Sequence, residues 1–221
     1  MSIDVDNAAR GSYADLEGWF LSGFARYGDF AKGLTLALSA THTDTDGTVQ
    51  RAISFGSLVR EAVAPVDLSS TAITAQMRYG FGSETLSAGP LVSVEYAHTS
   101  LDAYTESGAG ALALSGAGAS DSWTRFGGGA FVAFNGKTTN LQFDLQYLTG
   151  SEDDSSVFHS MAGSAQVFEV RPARGSGDLV RLAGQFETRI GERASVTLGG
   201  QALLGDEETA LSGTVSLRMA F

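Results

Sequence analysis

Apolar residues recur at every second position over most of this chain, in runs of about 10 to 14 residues. A period of two puts successive side chains on opposite faces of an extended strand, so each run has two different surfaces. TTNLQFDLQYL is the clearest case. Leu141, Phe143, Leu145 and Tyr147 alternate with Asn140, Gln142, Asp144 and Gln146, so one face is greasy and the other wholly polar. The same record runs through ITAQMRYGF, where Ile73, Ala75, Met77, Tyr79 and Phe81 oppose Thr74, Gln76 and Arg78. It recurs where Val92, Val94 and Tyr96 oppose Ser93 and Glu95, and again in VRLAGQFETRI and RASVTLGGQALL.

Soluble sandwiches also alternate, so length and turn spacing carry the distinction. Soluble strands average about 5 to 6 residues, whereas a tilted membrane strand needs about 9 to 11. Short connections at 28–33, 82–85, 135–137 and 191–193 alternate with long polar ones. That asymmetry is the habit of outer-membrane barrels, with short periplasmic turns and longer external loops. The reading is therefore all-β: an antiparallel up-and-down transmembrane β-barrel. Nine segments have full length: 16–28, 33–43, 69–82, 86–98, 123–135, 138–149, 178–190, 193–205 and 209–221. A single-chain barrel takes an even number of strands. Counting three strand-like stretches inside the long connections, 51–59, 110–118 and 158–170, gives an expectation of twelve. Residues 1–11 form a short N-terminal segment, and 12–221 the barrel.

Charge and composition remove other classes. A net charge of −11 argues against nucleic acid, which needs a basic face. With Cys 0 there is no disulfide and no thiolate chemistry. MSIDVDNAARG has no basic region followed by an apolar run and is not read as a signal peptide. His42, Asp44 and Asp46 share one face, but the remaining oxygen ligands of a calcium loop are not at the required spacing. His98 with Asp102, or Asp153 and Asp154 with His159, could imitate an acid–base pair at a barrel rim; no G-x-S-x-G elbow or phosphate loop occurs. No metal, cofactor or catalytic group is expected. The polar face instead carries Arg78, Glu95, Arg125, Asp144, Arg181, Glu187, Arg189 and Arg218, which a hydrated lumen would hold.

GPLVSVEYAHTSLDAYTESGAGALALSG resembles the autotransporter β-domain, the C-terminal translocator of type V secretion. The matching positions are Pro90, Tyr96, Tyr104, Thr105, Glu106 and Gly108. Upstream, TDTDGTVQRAISFG is similar to that family's Asp-rich loop leading to an Arg and a β run, here Asp44, Asp46, Arg51, Phe55 and Gly56. The chain closes on LSGTVSLRMAF, with Val215, Leu217, Met219 and Phe221 in phase on the lipid side.

The resemblance implies an outer-membrane translocator that exports an N-terminal passenger to the cell surface. Its implied partners are outer-membrane lipid, the passenger, and the barrel assembly machinery, for which Val215, Leu217, Met219 and Phe221 would be the insertion signal. A passive channel or structural barrel is the alternative function, and an omptin-like rim protease a further one.

Overall fold

The computed structural model describes residues 2–7, 12–28, 32–152, 156–164, 166–170, 178–191, 193–205 and 209–219. In chain order the strands are β1 (Ser2–Asn7), β2 (Ser12–Tyr27), β3 (Gly33–Phe55), β4 (Leu58–Gly82), β5 (Leu86–Leu101), β6 (Tyr104–Thr105), β7 (Leu114–Gly116), β8 (Ala119–Asn135), β9 (Thr139–Glu152), β10 (Val157–Met161), β11 (Val167–Val170), β12 (Leu179–Ile190), β13 (Ala194–Leu204) and β14 (Thr209–Met219). Ten of them form one antiparallel sheet in the order β1-β2-β3-β4-β5-β8-β9-β12-β13-β14. The other four make a small sheet, β11-β10-β7-β6. Among the described residues the only helical element is a 3-10 turn at Gly110–Leu112, and no helix is long and apolar enough to cross a membrane.

All nine long segments read from alternation are members of the large sheet. The three additional stretches are not separate members of it, so among the described residues the large sheet has ten strands rather than the expected twelve. Residues 51–59 are the tip of a hairpin, in which β3 and β4 run unbroken to Phe55↔Leu58 across Gly56 and Ser57. Their alternation stays in phase with the strands below, so one long strand looks locally like two. Residues 110–118 hold the 3-10 turn and β7, while 158–170 hold most of β10 and all of β11; these pair with each other instead of with the wall. The tenth strand is β1, from the segment at 1–11, and it pairs with Ser12–Glu17 of β2. Six residues are too few for a period to stand out.

β3 has 23 residues and β4 has 25. At about 3.3 Å per residue each extends well beyond the roughly 9 to 11 residues a bilayer requires. About half of this hairpin therefore stands on the side of the long connections. On the wall itself the two faces are unlike. Leu34, Leu36 and Leu38 of β3, Met77 and Tyr79 of β4, Val92, Val94 and Tyr96 of β5, and Phe143, Leu145 and Tyr147 of β9 are all exposed. Their neighbours in sequence, Thr35, Arg78, Ser93, Glu95 and Gln146, are buried. Greasy out and polar in is the inverse of a water-soluble sheet, and a continuous apolar exterior of this size calls for lipid.

Two exceptions qualify the pattern. Leu91, Phe131 and Ala133 form a small apolar cluster on the inner face, near the short-turn end. On β2, Phe20 and Phe24 pair with Thr43 and Ser39, so they share the inner face although both are exposed aromatics. β2 is thus apolar on both sides, since Trp19 and Leu21 are exposed on the other.

Placing a charge on the outer face tests its contact with lipid. Leu145→Arg, near the middle of β9, is expected to cost about 2–4 kcal/mol in a bilayer, while Gln146→Arg on the opposite face costs less. Folded and unfolded fractions from heat-modifiable gel migration give the comparison; equal tolerance of the two would remove the lipid-facing assignment.

Candidate functional site

The inner wall is built where β4, β5, β8, β9 and β12 lie side by side. Arg78 on β4 reaches Asp144 on β9, with Nη2 donating to Oδ2 at 2.6 Å. The two side chains are each 9% exposed. Arg181 on β12 makes a two-pronged pair with Glu95 on β5, one prong from Nη2 to Oε2 at 2.8 Å and the other from Nη1 to Oε1. In both pairs two strands intervene between the partners. Flat, neighbouring strands sit about 4.8 Å apart, so three spacings separate the backbones by about 14 Å. Inward curvature of the wall and long side chains close that gap together.

Neighbours fill in the network. Arg78 Nε donates to Gln76 Oε1 at 2.9 Å, and Gln142 Nε2 donates to Asp144 Oδ1 at 3.1 Å. The Arg78 guanidinium crosses the Phe131 ring, 5.5 Å from its centroid, on its way to Asp144. Gln146 Nε2 donates to Ser93 Oγ at 2.9 Å, across the intervening β8. That bond needs a strand with no side chain beneath it, and Gly127 supplies the space. A Cβ there would come within 2.7 Å of Leu148 Cδ2 and 3.1 Å of Gln146 Nε2, and would collide with Ser93 Oγ. The glycine on β8 is a floor over which β5 and β9 join hands.

The eight charged residues expected on one face divide into groups. Arg78, Glu95, Asp144 and Arg181 come together in the two pairs. Arg125, the register partner of Glu95, lays its guanidinium over Trp123 at 4.6 Å. Glu187 lines a small recess with Asn140, Gln142 and Gln185. Arg189 and Arg218 are exposed near the short-turn end, both opposite Ser195. Val215, Leu217 and Met219 are exposed on the outer face of β14. Phe221 lies outside the described residues, as do Asp153 and Asp154.

The motif residues occupy two levels. Pro90 has no N–H, and the β4–β5 ladder skips Tyr79 and Gly80 beside it. Tyr96 is exposed on the outer face. Tyr104, Glu106 and Gly108 lie beyond the wall, against the protruding hairpin. There Arg51 of β3 forms a two-pronged pair with Glu106, Nε to Oε1 at 3.0 Å and Nη2 to Oε2 at 2.6 Å. Arg51 also donates to the Leu112 carbonyl at 3.3 Å, while Leu114 N donates to Glu106 Oε2 at 2.8 Å. The Glu106 bond holds the Arg51 guanidinium above its ordinary range. Burial first, and the Glu106 charge second, push the Tyr104 hydroxyl up. Gly108 turns with φ +88, and a Cβ there would press on the Glu61 carbonyl at 2.5 Å.

Two of the three histidines bond to hydroxyl groups. His42 Nδ1 bonds Thr71 Oγ1 at 2.9 Å, and His159 bonds the Tyr104 hydroxyl at 3.2 Å and stacks on Phe168. Among the described residues no three His, Asp or Glu side chains cluster as a cation site would require. Sequence reasoning found the charges but not their pairing, because partners three strands apart share no sequence spacing. Ser93, Gln76, Gln142 and Gln146 stand on the polar face in the sequence without a role, and the alternation gives no mark to Gly127.

Long antiparallel strands with an apolar exterior and an ion-paired polar interior define a barrel-type membrane protein of the outer-membrane class. The family model of the autotransporter β-domain matches residues 1–201, and the chain belongs to that family: it is an outer-membrane translocator domain. Membership places it in Gram-negative bacteria, among domains that are not enzymes as such. The transport unit of the autotransporter AIDA-I from Escherichia coli is a similar solved structure, at 13% identity and TM-score 0.39, covering 97% of this chain and 86% of that one. No curated protein sequence matches the chain.

Two substitutions separate charge from shape in this wall. Asp144→Ala leaves Arg78 without its carboxylate in a mostly buried site and is expected to cost about 3 kcal/mol. Gly127→Ala leaves every charge in place yet breaks the Gln146–Ser93 bond and shifts Leu148, for about 1–3 kcal/mol. Urea unfolding of the protein in lipid measures both; a neutral Gly127→Ala would show that β8 is not a shared floor.

Proposed function

We propose that the long strands cross the outer membrane as an integral barrel whose polar inner face encloses a hydrated lumen, and that an N-terminal passenger crosses through it in extended form. The observation that carries this reading is the inverted wall, apolar outside and ion-paired inside. Backbone groups at a sheet edge have no partner in hydrocarbon, so the edges at β1 and β14 favour closure of the sheet in the membrane. Arg78, Glu95, Arg125, Asp144, Arg181, Glu187, Arg189 and Arg218 keep the interior wet. Arg78–Asp144 and Glu95–Arg181 also cancel each other's charge, so the wall offers a passing chain water and hydrogen bonds without a strong single-sign trap. The action is physical, and no bond is made or broken.

Outer-membrane lipid is the proposed partner of the exterior. The assembly machinery is the proposed partner of the final strand, with Val215, Leu217, Met219 and Phe221 as its signal. Deleting Phe221 should reduce assembly in cells more than refolding in detergent, as measured by folded protein recovered from each; equal losses would count against an address.

Replacing Arg78, Glu95, Asp144 and Arg181 together by Leu should stop surface display of the full-length protein's passenger while the barrel still inserts. Protease accessibility on intact cells reads display, and heat-modifiable migration reads insertion. Display that continued unchanged in an inserted variant would falsify the lumen route.

A further inference from the structure

The connection between β5 and β8 does more than join two strands. Beyond Leu101 it continues along β4: Asp102 N donates to the Asp67 carbonyl at 3.0 Å, and Val63 and Ser107 exchange backbone bonds at 3.0 and 2.8 Å. It then turns at Gly108 and folds inward. Ala109 and Ala113 are buried against Ala62, with Ile53 and Leu112 packed beside them. Arg51 and Ala62 are register partners in the same unbroken ladder as Thr35 and Arg78, and each is an even number of residues from them. The surface that residues 102–117 cover is thus the inner face of the β3–β4 hairpin, on the long-connection side of the wall.

The covering piece is larger than one loop. β7 pairs with β10, and Ala162 N and Gly163 N donate to the carbonyls of Ala113 and Ala111 at 2.9 and 3.0 Å. The Tyr104–His159 bond ties the same two connections together. Against the hairpin the contacts are the packing of Ala109, Ala113 and Leu112 on Ala62 and Ile53, backbone bonds at Asp67 and Val63, and Arg51, which bonds both Glu106 and the Leu112 carbonyl. The Glu106 side chain is 8% exposed and is held by both guanidinium prongs and by Leu114 N. Alanine methyls bury little area, so the charge-assisted pair is the strongest single contact across this boundary.

We propose that residues 102–117, with β10 and β11, form a cap over the outer mouth of the lumen, latched shut by Arg51 and Glu106 and lifted off the hairpin when the exported chain leaves. The gate rests on the translocator reading; the latch does not. Opening exchanges one two-pronged ion pair, the backbone bonds to β4 at Val63 and Asp67 and a patch of small apolar contacts for water, and leaves the wall and its own ion pairs intact.

The absence of native cysteine makes single thiols clean probes. Ala62→Cys, beneath the cap, should resist a membrane-impermeant maleimide, while Phe55→Cys at the exposed hairpin tip reacts at once. Adding Glu106→Gln should speed labelling at position 62 by about tenfold, the factor expected when a charge-assisted pair becomes neutral. Exchanging the charges, Arg51→Glu with Glu106→Arg, should restore protection and so separate latching from misfolding. Labelling at 62 unaffected by Glu106→Gln overturns the latch.

For the gate, Val63→Cys with Ser107→Cys joins residues that exchange two backbone bonds, a spacing of about 5.5 Å that suits a disulfide. In the full-length protein, oxidation should halt passenger display and reductant should restore it. Display that proceeds with the cross-link formed overturns the gate. Loss of display in the reduced protein as well overturns the translocator reading and the gate with it, while the labelling experiment still reports the latch.

Discussion

Every backbone N–H and C=O in a membrane-crossing segment needs a partner, because hydrocarbon supplies none. Strands can meet that demand only by pairing side by side, and the ten-stranded antiparallel ladder is the result here. Once pairing is obligatory, each residue has two destinations, outward or inward. Period two then assigns them without exception along each unbroken strand. The apolar exterior and the largely polar interior are therefore consequences of one requirement, and the interior keeps only small apolar patches, at Leu91, Phe131 and Ala133 and at Phe20 and Phe24.

An interior lined by charge must still avoid isolated ions in a confined space. The chain meets this by pairing Arg78 with Asp144 and Arg181 with Glu95, each across two intervening strands. Such reach depends on curvature, while the bare backbone at Gly127 admits the Gln146–Ser93 bond beside them. Outside the membrane the same chemistry serves a different end. Arg51 and Glu106 hold a small sheet of short strands against a long hairpin, at a boundary otherwise made of backbone bonds at Val63 and Asp67 and small apolar contacts. One pair type thus stiffens the wall by crossing strands and fastens a movable piece by crossing a boundary.

Much of the wall was legible in the residues. TTNLQFDLQYL alone separates Phe143 and Leu145 from Asp144 and Gln146, and they emerge on opposite faces. Nine strands were found within a few residues of their ends, apart from the hairpin that continues to Phe55 and Leu58. That extension was missed because the alternation of RAISFGSLV looks the same whether it begins a new strand or prolongs an old one. Phe20 and Phe24 of β2 also departed from the pattern: an aromatic on the inner phase carries no sequence mark that distinguishes it from one on the outer phase. Glu106 and Gly108 were noticed as a motif, and their reason is now physical: one is a carboxylate for Arg51, the other a left-handed turn against Glu61.

By itself the sequence determined the class of secondary structure, the two faces of each strand, the end with short turns, and the family. These are local properties, set by side-chain period and turn chemistry within a dozen residues. Only the tertiary structure decided which charge pairs with which, that Gly127 is filled from both sides, that β1 joins the sheet, and that three strand-like stretches stay out of the wall as separate members. Those outcomes depend on register and curvature accumulated over several strands. Residues such as Glu95 and Arg181 are 86 positions apart along the chain and meet only when the sheet bends.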